Sequence, residues 1–280
     1  MRGLRWLYAL CAGLMIFILG VFFWSREPIQ PLAPSPKPTQ TKVLLAPIKS
    51  QNTWVDIEKP VCKAKTCALI HIQTLKTDQA WLNTWVNQNI ATVIQEQLKQ
   101  KVEPLTLQSA LDQYVKQSRQ WQAQYSRNRP YELDISTKLI YQKNQYVLLR
   151  TVLNAKQEEL TIKNRSYLHV ADREQKKPII LKEMIQPQQF NQFSAWVQTA
   201  YQKWLNEQPQ EVQKEAPKQL DWQDADWFFD QEGIGLHYRG NQISEHADQF
   251  DLYLSSDQTK AVLQTQIYQK MFYLCINLGM

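Results

Sequence analysis

Residues 133–170 read LDISTKLIYQKNQYVLLRTVLNAKQEELTIKNRSYLHV. Three runs rich in β-branched, aliphatic and aromatic residues, at 133–141, 146–154 and 160–170, are separated by polar stretches at 142–145 and 155–159. That pattern predicts consecutive strands joined by turns. Outside the meander the period changes. Leu82, Val86, Ile90, Val93, Ile94 and Leu98 recur at helical spacing within 77–100, with Thr77 or Asp78 placed to cap the helix. A second helix follows Pro104, with Leu107, Leu111, Tyr114, Val115, Trp121 and Tyr125 on one side. A third, near 188–206, sets Phe190, Phe193, Val197, Tyr201 and Trp204 on one face. Strand patterns return at 227–238 and 250–254, and a last one is expected at 271–276. The order helix, helix, strands, helix, strands predicts an α+β fold, a largely antiparallel sheet with helices packed on one face.

The chain has 280 residues, 44% of them hydrophobic and 11% aromatic, which is ample for a folded core and far from the composition of disorder. Its formal charge of +6 invites a nucleic-acid hypothesis until the charges are located. Six of the 32 basic residues but only one of the 26 acidic ones precede residue 51, which leaves 26 against 25 in the remainder. The body is electrically balanced, so no nucleic-acid partner is expected.

Residues 6–24, WLYALCAGLMIFILGVFFW, are nineteen positions without a charge. As a helix they span about 28 Å, enough to cross a hydrocarbon core. Arg2 and Arg5 precede them and no small-x-small cleavage pattern follows, so residues 1–25 read as a transmembrane signal anchor. The positive-inside rule places the N-terminus in the cytoplasm and everything after Trp24 outside, as a single-pass membrane protein. Six of the thirteen prolines fall within 26–50, an extended spacer. The ectodomain then divides into a helical part, 51–130, and an α+β part, 131–280.

Two segments resemble a known family. Residues 177–185, KPIILKEMI, followed at once by the third helix, and residues 227–238, WFFDQEGIGLHY, with 250–254, FDLYL, after them, are similar to the extracytoplasmic domain shared by the anti-sigma factor RsiV and the non-catalytic part of the peptidoglycan deacetylase PdaC. The resemblance covers roughly 130–265 and carries fold-determining motifs. It implies an external binding or sensing module, without enzymatic activity, whose partner is peptidoglycan or an envelope protein such as a lysozyme. In RsiV a cytoplasmic segment holds the sigma factor; here only Met1–Arg5 precede the anchor, short of the 20–30 residues a side that a stable interface takes. An anti-sigma role is therefore not expected.

Candidate chemistry is sparse. Trp227, Phe229 and Tyr238 alternate along one strand region and are placed to stack on a ligand, though a half-buried sheet face would show the same pattern. His237 and His246 with Glu245 or Asp248, and the acidic run Asp221, Asp224, Asp226 and Asp230, lack the spacing of known metal motifs, so neither a metal nor another cofactor is expected. No catalytic-serine or phosphate-loop motif is present; a cell-wall hydrolase or deacetylase using carboxylates, which leave no sequence signature when paired by the fold, or an unrecognised metal site is the rival reading. Cys62 and Cys67, with four residues between them in an exported chain, are expected to form a disulfide. Alkylation of the exported protein without reductant should accordingly leave Cys62 and Cys67 unmodified by mass spectrometry, and labelling at either would rule the pairing out.

Overall fold

The computed structural model describes residues 45–55, 67–98 and 104–273. The anchor at 6–24, the spacer up to residue 44, Cys62 and Cys275 lie outside the described residues. Among those described, no helix is long and apolar enough to cross a membrane.

A six-stranded sheet runs in sequence order: β1 (Ser50–Trp54), β2 (Leu69–Thr77), β3 (Glu132–Lys143), β4 (Tyr146–Gln157), β5 (Leu160–Asp172) and the two-residue β6 (Lys177–Pro178). Only β2 and β3 pair in parallel. Parallel neighbours need a long crossover, and here it is supplied by helices α1 (Ala80–Gln97) and α2 (Leu107–Gln124). The other pairs are antiparallel. The turns of the meander are tighter than the sequence suggests, two residues each, because β3 and β4 extend into the polar stretches. Asn144 (φ 53°) and Glu158 (φ 49°) take the left-handed conformation that such turns need.

Strand alternation puts two cores on opposite faces of this sheet. Along β4, Val147, Leu149 and Leu153 join Ile72, Leu133 and Ile135 under Leu82, Val86, Ile90 and Ile94 of α1 and Leu111 and Tyr114 of α2. Each such fully buried aliphatic side chain contributes about 1.5–3 kcal/mol. Tyr146 and Leu148 point the other way, with Val170 of β5, into a second core. The remaining elements build it: α3 (Leu181–Met184), α4 (Phe190–Asn206), α5 (Gln210–Glu215), a three-stranded antiparallel sheet of β7 (Asp226–Phe229), β8 (Ile234–Tyr238) and β9 (Phe250–Tyr253), then α6 (Ser256–Val262) and α7 (Thr265–Phe272). Phe193, Val197 and Tyr201 of α4 are fully buried there. The helix pair α1–α2 thus lies on one face as expected, while the second core covers part of the other.

Several local readings change. Met271 and Phe272 belong to α7, not to a strand: Tyr268, Met271 and Phe272 sit three and four residues apart and pack as one helical face. The region 51–130, read as helical, also supplies β1 and β2. The fold begins before residue 50, since Ile48 is buried in the first core and its N–H donates to Gln142 Oε1 at 3.0 Å. Neither Thr77 nor Asp78 caps α1. Instead Asn83, inside the helix, reaches back and accepts from Thr77 N at 2.7 Å.

Gly233 lies in the turn between β7 and β8, where its carbonyl accepts from Asp230 N at 3.1 Å, and neither it nor Gly235 has a positive φ. A Cβ on Gly235 would run into the Phe228 ring, and one on Gly233 into the Leu254 carbonyl. Gly235→Ala is expected to destabilise the protein by about 1–3 kcal/mol through overpacking, read as a lower midpoint in chemical denaturation.

Candidate functional site

β5 forms the border between the two cores. Its inner edge pairs with β4. Past the reach of two-residue β6, its outer edge is met by side chains and a loop. The Leu168 amide donates to Asp226 Oδ2 at 3.0 Å, His237 Nε2 lies 3.2 Å from the Ser166 carbonyl, and the Val170 carbonyl accepts from Ile179 N at 2.9 Å. Asp226 begins β7 and His237 lies in β8, so the small sheet is fastened to the large one through these groups.

Asp226 has a second partner, Arg239, whose Nη1 donates to the same oxygen at 2.7 Å. The Arg239 guanidinium also lies over the Tyr167 ring, 4.6 Å from its centroid. Burial opposes the Arg239 charge, but Asp226, Glu96 and Tyr167 more than offset it, so its pKa is held above the ordinary guanidinium value. On its other side His237 Nδ1 lies 2.6 Å from Asp251 Oδ1 of β9. Both imidazole nitrogens therefore lie against oxygen atoms, one of β9 and one of β5.

Two hollows flank this seam. The first is a cleft of about 610 Å³ between the end of α1, the start of β5 and the loop after β8. Lys163 and Arg165 line it from β5, Glu245 and Asp248 from the loop, and Glu96 and Gln97 from α1, with His237 and Arg239 also in its wall. Glu96 is exposed. Burial nevertheless raises its carboxyl pKa, with Arg239 lowering it and Asp226 raising it further. Beside it Gln97 donates to the Tyr167 hydroxyl at 3.0 Å. The second hollow, about 330 Å³, is walled by Trp85, Leu168, Ile179, Trp222 and Trp227, with His169 among its lining residues. The His169 ring stands edge-on to Trp85 at 6.3 Å, and its Nε2 is buried without a hydrogen-bond partner. Burial pushes its pKa down to about 4, with Asp226 raising it and Arg239 lowering it. Asp226 lines this second hollow and its partner Arg239 the first, so the ion pair stands between them.

Of the residues singled out in the sequence, His237, Glu245 and Asp248 line the first cleft and Asp226 and Trp227 the second hollow. Trp227, Phe229 and Tyr238 do not form a stacking surface: all three are buried in the second core. Trp227 Nε1 donates to the Ile179 carbonyl at 3.0 Å, Tyr238 Oη donates to the Asp221 carbonyl at 3.1 Å, and Phe229 packs edge-on against Tyr141 and Tyr146. Their alternation reports the buried side of a sheet. Of the four aspartates, Asp226 is committed to Arg239 and Leu168, while Asp230 accepts from the Glu232 and Gly233 amides. His246 lies 3.8 Å from Glu215 rather than beside His237's partner Asp251. Cys67 is disulfide-bonded. Sequence reasoning missed Glu96, His169 and Arg239. The one signal for Arg239 is a cation placed directly after the apolar strand 234–238.

The arrangement is an α+β domain whose small antiparallel sheet docks along the edge strand of a larger one. Two crystal structures share it. One is a DUF3298 family protein from Pseudomonas aeruginosa PAO1, 17% identical, with a TM-score of 0.58 over 80% of this chain and 97% of that one. The other is a member of the same family from Bacteroides fragilis, 13% identical, with a TM-score of 0.53 over the same shares. At these identities the likeness establishes the fold. No protein-family model matches the sequence, and no curated protein matches it.

The burial of His169 gives a signed pH dependence. An unfolded histidine takes up its proton near pH 6.5, whereas folded His169 resists until about pH 4. Between these values the unfolded chain binds more protons, so His169 favours the folded state fully above pH 6.5 and progressively less as the pH falls through 4. At about 1.4 kcal/mol per pH unit, the interval amounts to about 3 kcal/mol. Denaturation midpoints at pH 6.5, 5 and 4 should fall more steeply for the wild type than for His169→Phe.

Proposed function

We propose that this chain is a membrane-anchored binding or sensing module of the bacterial envelope. Residues 6–24 hold it in the inner membrane, 26–50 lift it from the surface, and the folded domain binds peptidoglycan or an envelope protein of the lysozyme type without chemical turnover. The compartment rests on the charge-free span, the proline-rich spacer and the resemblance to the RsiV and PdaC modules. The Cys62–Cys67 disulfide belongs to the same reading.

The observation that carries the binding role is the 610 Å³ cleft, which sets Lys163 and Arg165 on one wall against Glu245 and Asp248 on the other. Polar groups of both signs, held above the fixed Asp226–Arg239 pair, suit a ligand rich in hydroxyls, amides and ionic ends, as a cell-wall glycopeptide is. A second reading has one specific support. Glu96 shares the cleft with Glu245 and Asp248, and its carboxyl is held towards the protonated form, as a glycosidase acid would be.

Sedimentation of the detergent-solubilised chain with insoluble peptidoglycan, and capture on immobilised lysozyme, test the proposal while released muropeptides are assayed in parallel. Retention on one of the two without release is the expected result, with Arg165→Glu weakening it about tenfold through charge reversal in the cleft. Muropeptide release that Glu96→Gln abolishes would overturn the binding role in favour of hydrolysis.

A further inference from the structure

Trp227 and Phe229 of β7 are buried in the second core, so the residue between them, Phe228, stands on the other face of the small sheet. Register sets Phe228, Gly235 of β8 and Tyr253 of β9 in one row across that face. Asp226, His237 and Asp251 form the next row, about 6.6 Å away. Gly235 has no side chain, and the two rings close over it, their centroids 6.3 Å apart and their planes 27° from parallel. Cover for Gly235 accounts for Phe228, whose ring a Cβ there would strike. It does not account for Tyr253, which is 40% exposed. Nor is that ring loose. Its hydroxyl donates to Asp230 Oδ1 at 2.5 Å, and the same oxygen takes the Glu232 and Gly233 amides. An exposed aromatic ring held at its far end is preorganised, so a ligand that covers it takes away little side-chain freedom.

Carboxylates rim the two rings. Asp230 and Glu232 lie within electrostatic reach of the Tyr253 hydroxyl, and Asp251, two residues earlier on β9, has 44% of its side chain exposed. The cation that acts on Asp230, Lys143, also lies 5.5 Å over the Phe272 ring. An ionised carboxylate only accepts hydrogen bonds. The rim therefore favours a ligand that brings donors, and it disfavours an anion or a second copy of the same face, which would set carboxylate against carboxylate. A sugar ring has both parts required: C–H groups for the negative face of an aromatic ring, and hydroxyls at its edge for the carboxylates. Asp230 and Asp251 already have hydrogen-bond partners. What they offer is spare lone pairs rather than unmet charge, which suits hydroxyls better than a cation. The rings also adjoin the charged cleft, because His237 and Gln249, the two partners of Asp251, both line it. We propose that Phe228 and Tyr253 form a stacking platform for a neutral sugar ring, with Asp251 accepting from its hydroxyls, on a glycan chain that continues into the cleft. The course of the chain into the cleft rests on the binding role proposed above; the platform itself does not.

N-acetylchitotetraose, a neutral glycan, is titrated into the full chain in a detergent without a sugar headgroup, followed by calorimetry and saturation-transfer NMR. Saturable binding with transfer to the sugar-ring protons is the expected result. Tyr253→Ala should weaken it at least about tenfold, whereas Tyr253→Phe, which keeps the ring and drops the hydroxyl, should stay within about threefold. Denaturation midpoints of both variants report that the fold is kept. No saturable binding by the wild type overturns the proposal without recourse to any variant. So does displacement of the glycan by a lysine tetrapeptide at lower concentration, which would make the rings a cation site. Glycan binding that Arg165→Glu weakens and Tyr253→Ala leaves unchanged removes the platform and keeps the cleft. Glycan binding lost with Tyr253→Ala, in a chain that neither peptidoglycan nor lysozyme retains, upholds the platform and removes the role proposed for the cleft.

Discussion

The Asp226 carboxylate, shared between the Leu168 amide and the Arg239 guanidinium, is the contact on which the arrangement of the molecule turns. β5 has no neighbouring strand beyond β6, which pairs with only Ala171 and Asp172. A bare strand edge is a template for unwanted pairing. Here the edge is closed by a carboxylate at Leu168, an imidazole at Ser166 and a loop amide at Val170. Side chains that close an edge also fix whatever carries them, and Asp226 and His237 stand on adjacent strands of the small sheet. One set of contacts therefore both terminates the large sheet and docks the small one.

This economy explains why charged groups are buried at all. An ion pair taken out of water costs several kcal/mol per ion unless the geometry and further hydrogen bonds restore it, and removing one partner typically costs 3–5 kcal/mol. Asp226 meets that condition with two donors on one oxygen; Arg239 has the carboxylate and the face of Tyr167, while its Nε is buried without a hydrogen-bond partner. Apolar replacements could pack the space, but they would offer nothing to the Leu168 amide. The polar seam is retained because a strand edge can be satisfied only by polar groups.

How much of this could be read in the sequence follows from the range of each interaction. The meander and the helix faces were legible because period-two and helical patterns are local and each buried side repeats several times, as along 133–170 and in α1. β2 was missed although its 69–75 segment alternates, because its polar positions dilute the signal beside a strongly periodic helix. The aromatic alternation of Trp227, Phe229 and Tyr238 was legible as a pattern, but the pattern cannot say whether the face it marks is covered. Contacts with Tyr141 and Tyr146, with Ile179 and with Asp221 settle that, and most of these partners lie far away in the chain. The candidate sites were least legible. His169 is one histidine inside a strand, and what distinguishes it is a partner it lacks.

The net charge shows the same limit from another side. With the charges balanced from residue 51 onward, composition argues against a basic groove. Yet balance over a whole domain says nothing about its distribution within one cleft. Lys163 and Arg165 come from one strand, and Glu245 and Asp248 from a loop some eighty residues later. Opposite signs cancel in the sum while lining one cleft about 610 Å³ in volume. Charges of both signs on such a lining act at short range, where screening over about 8 Å matters least. Had the same residues been neighbours in sequence, they would have paired with one another, and the cleft would have had no charge to offer.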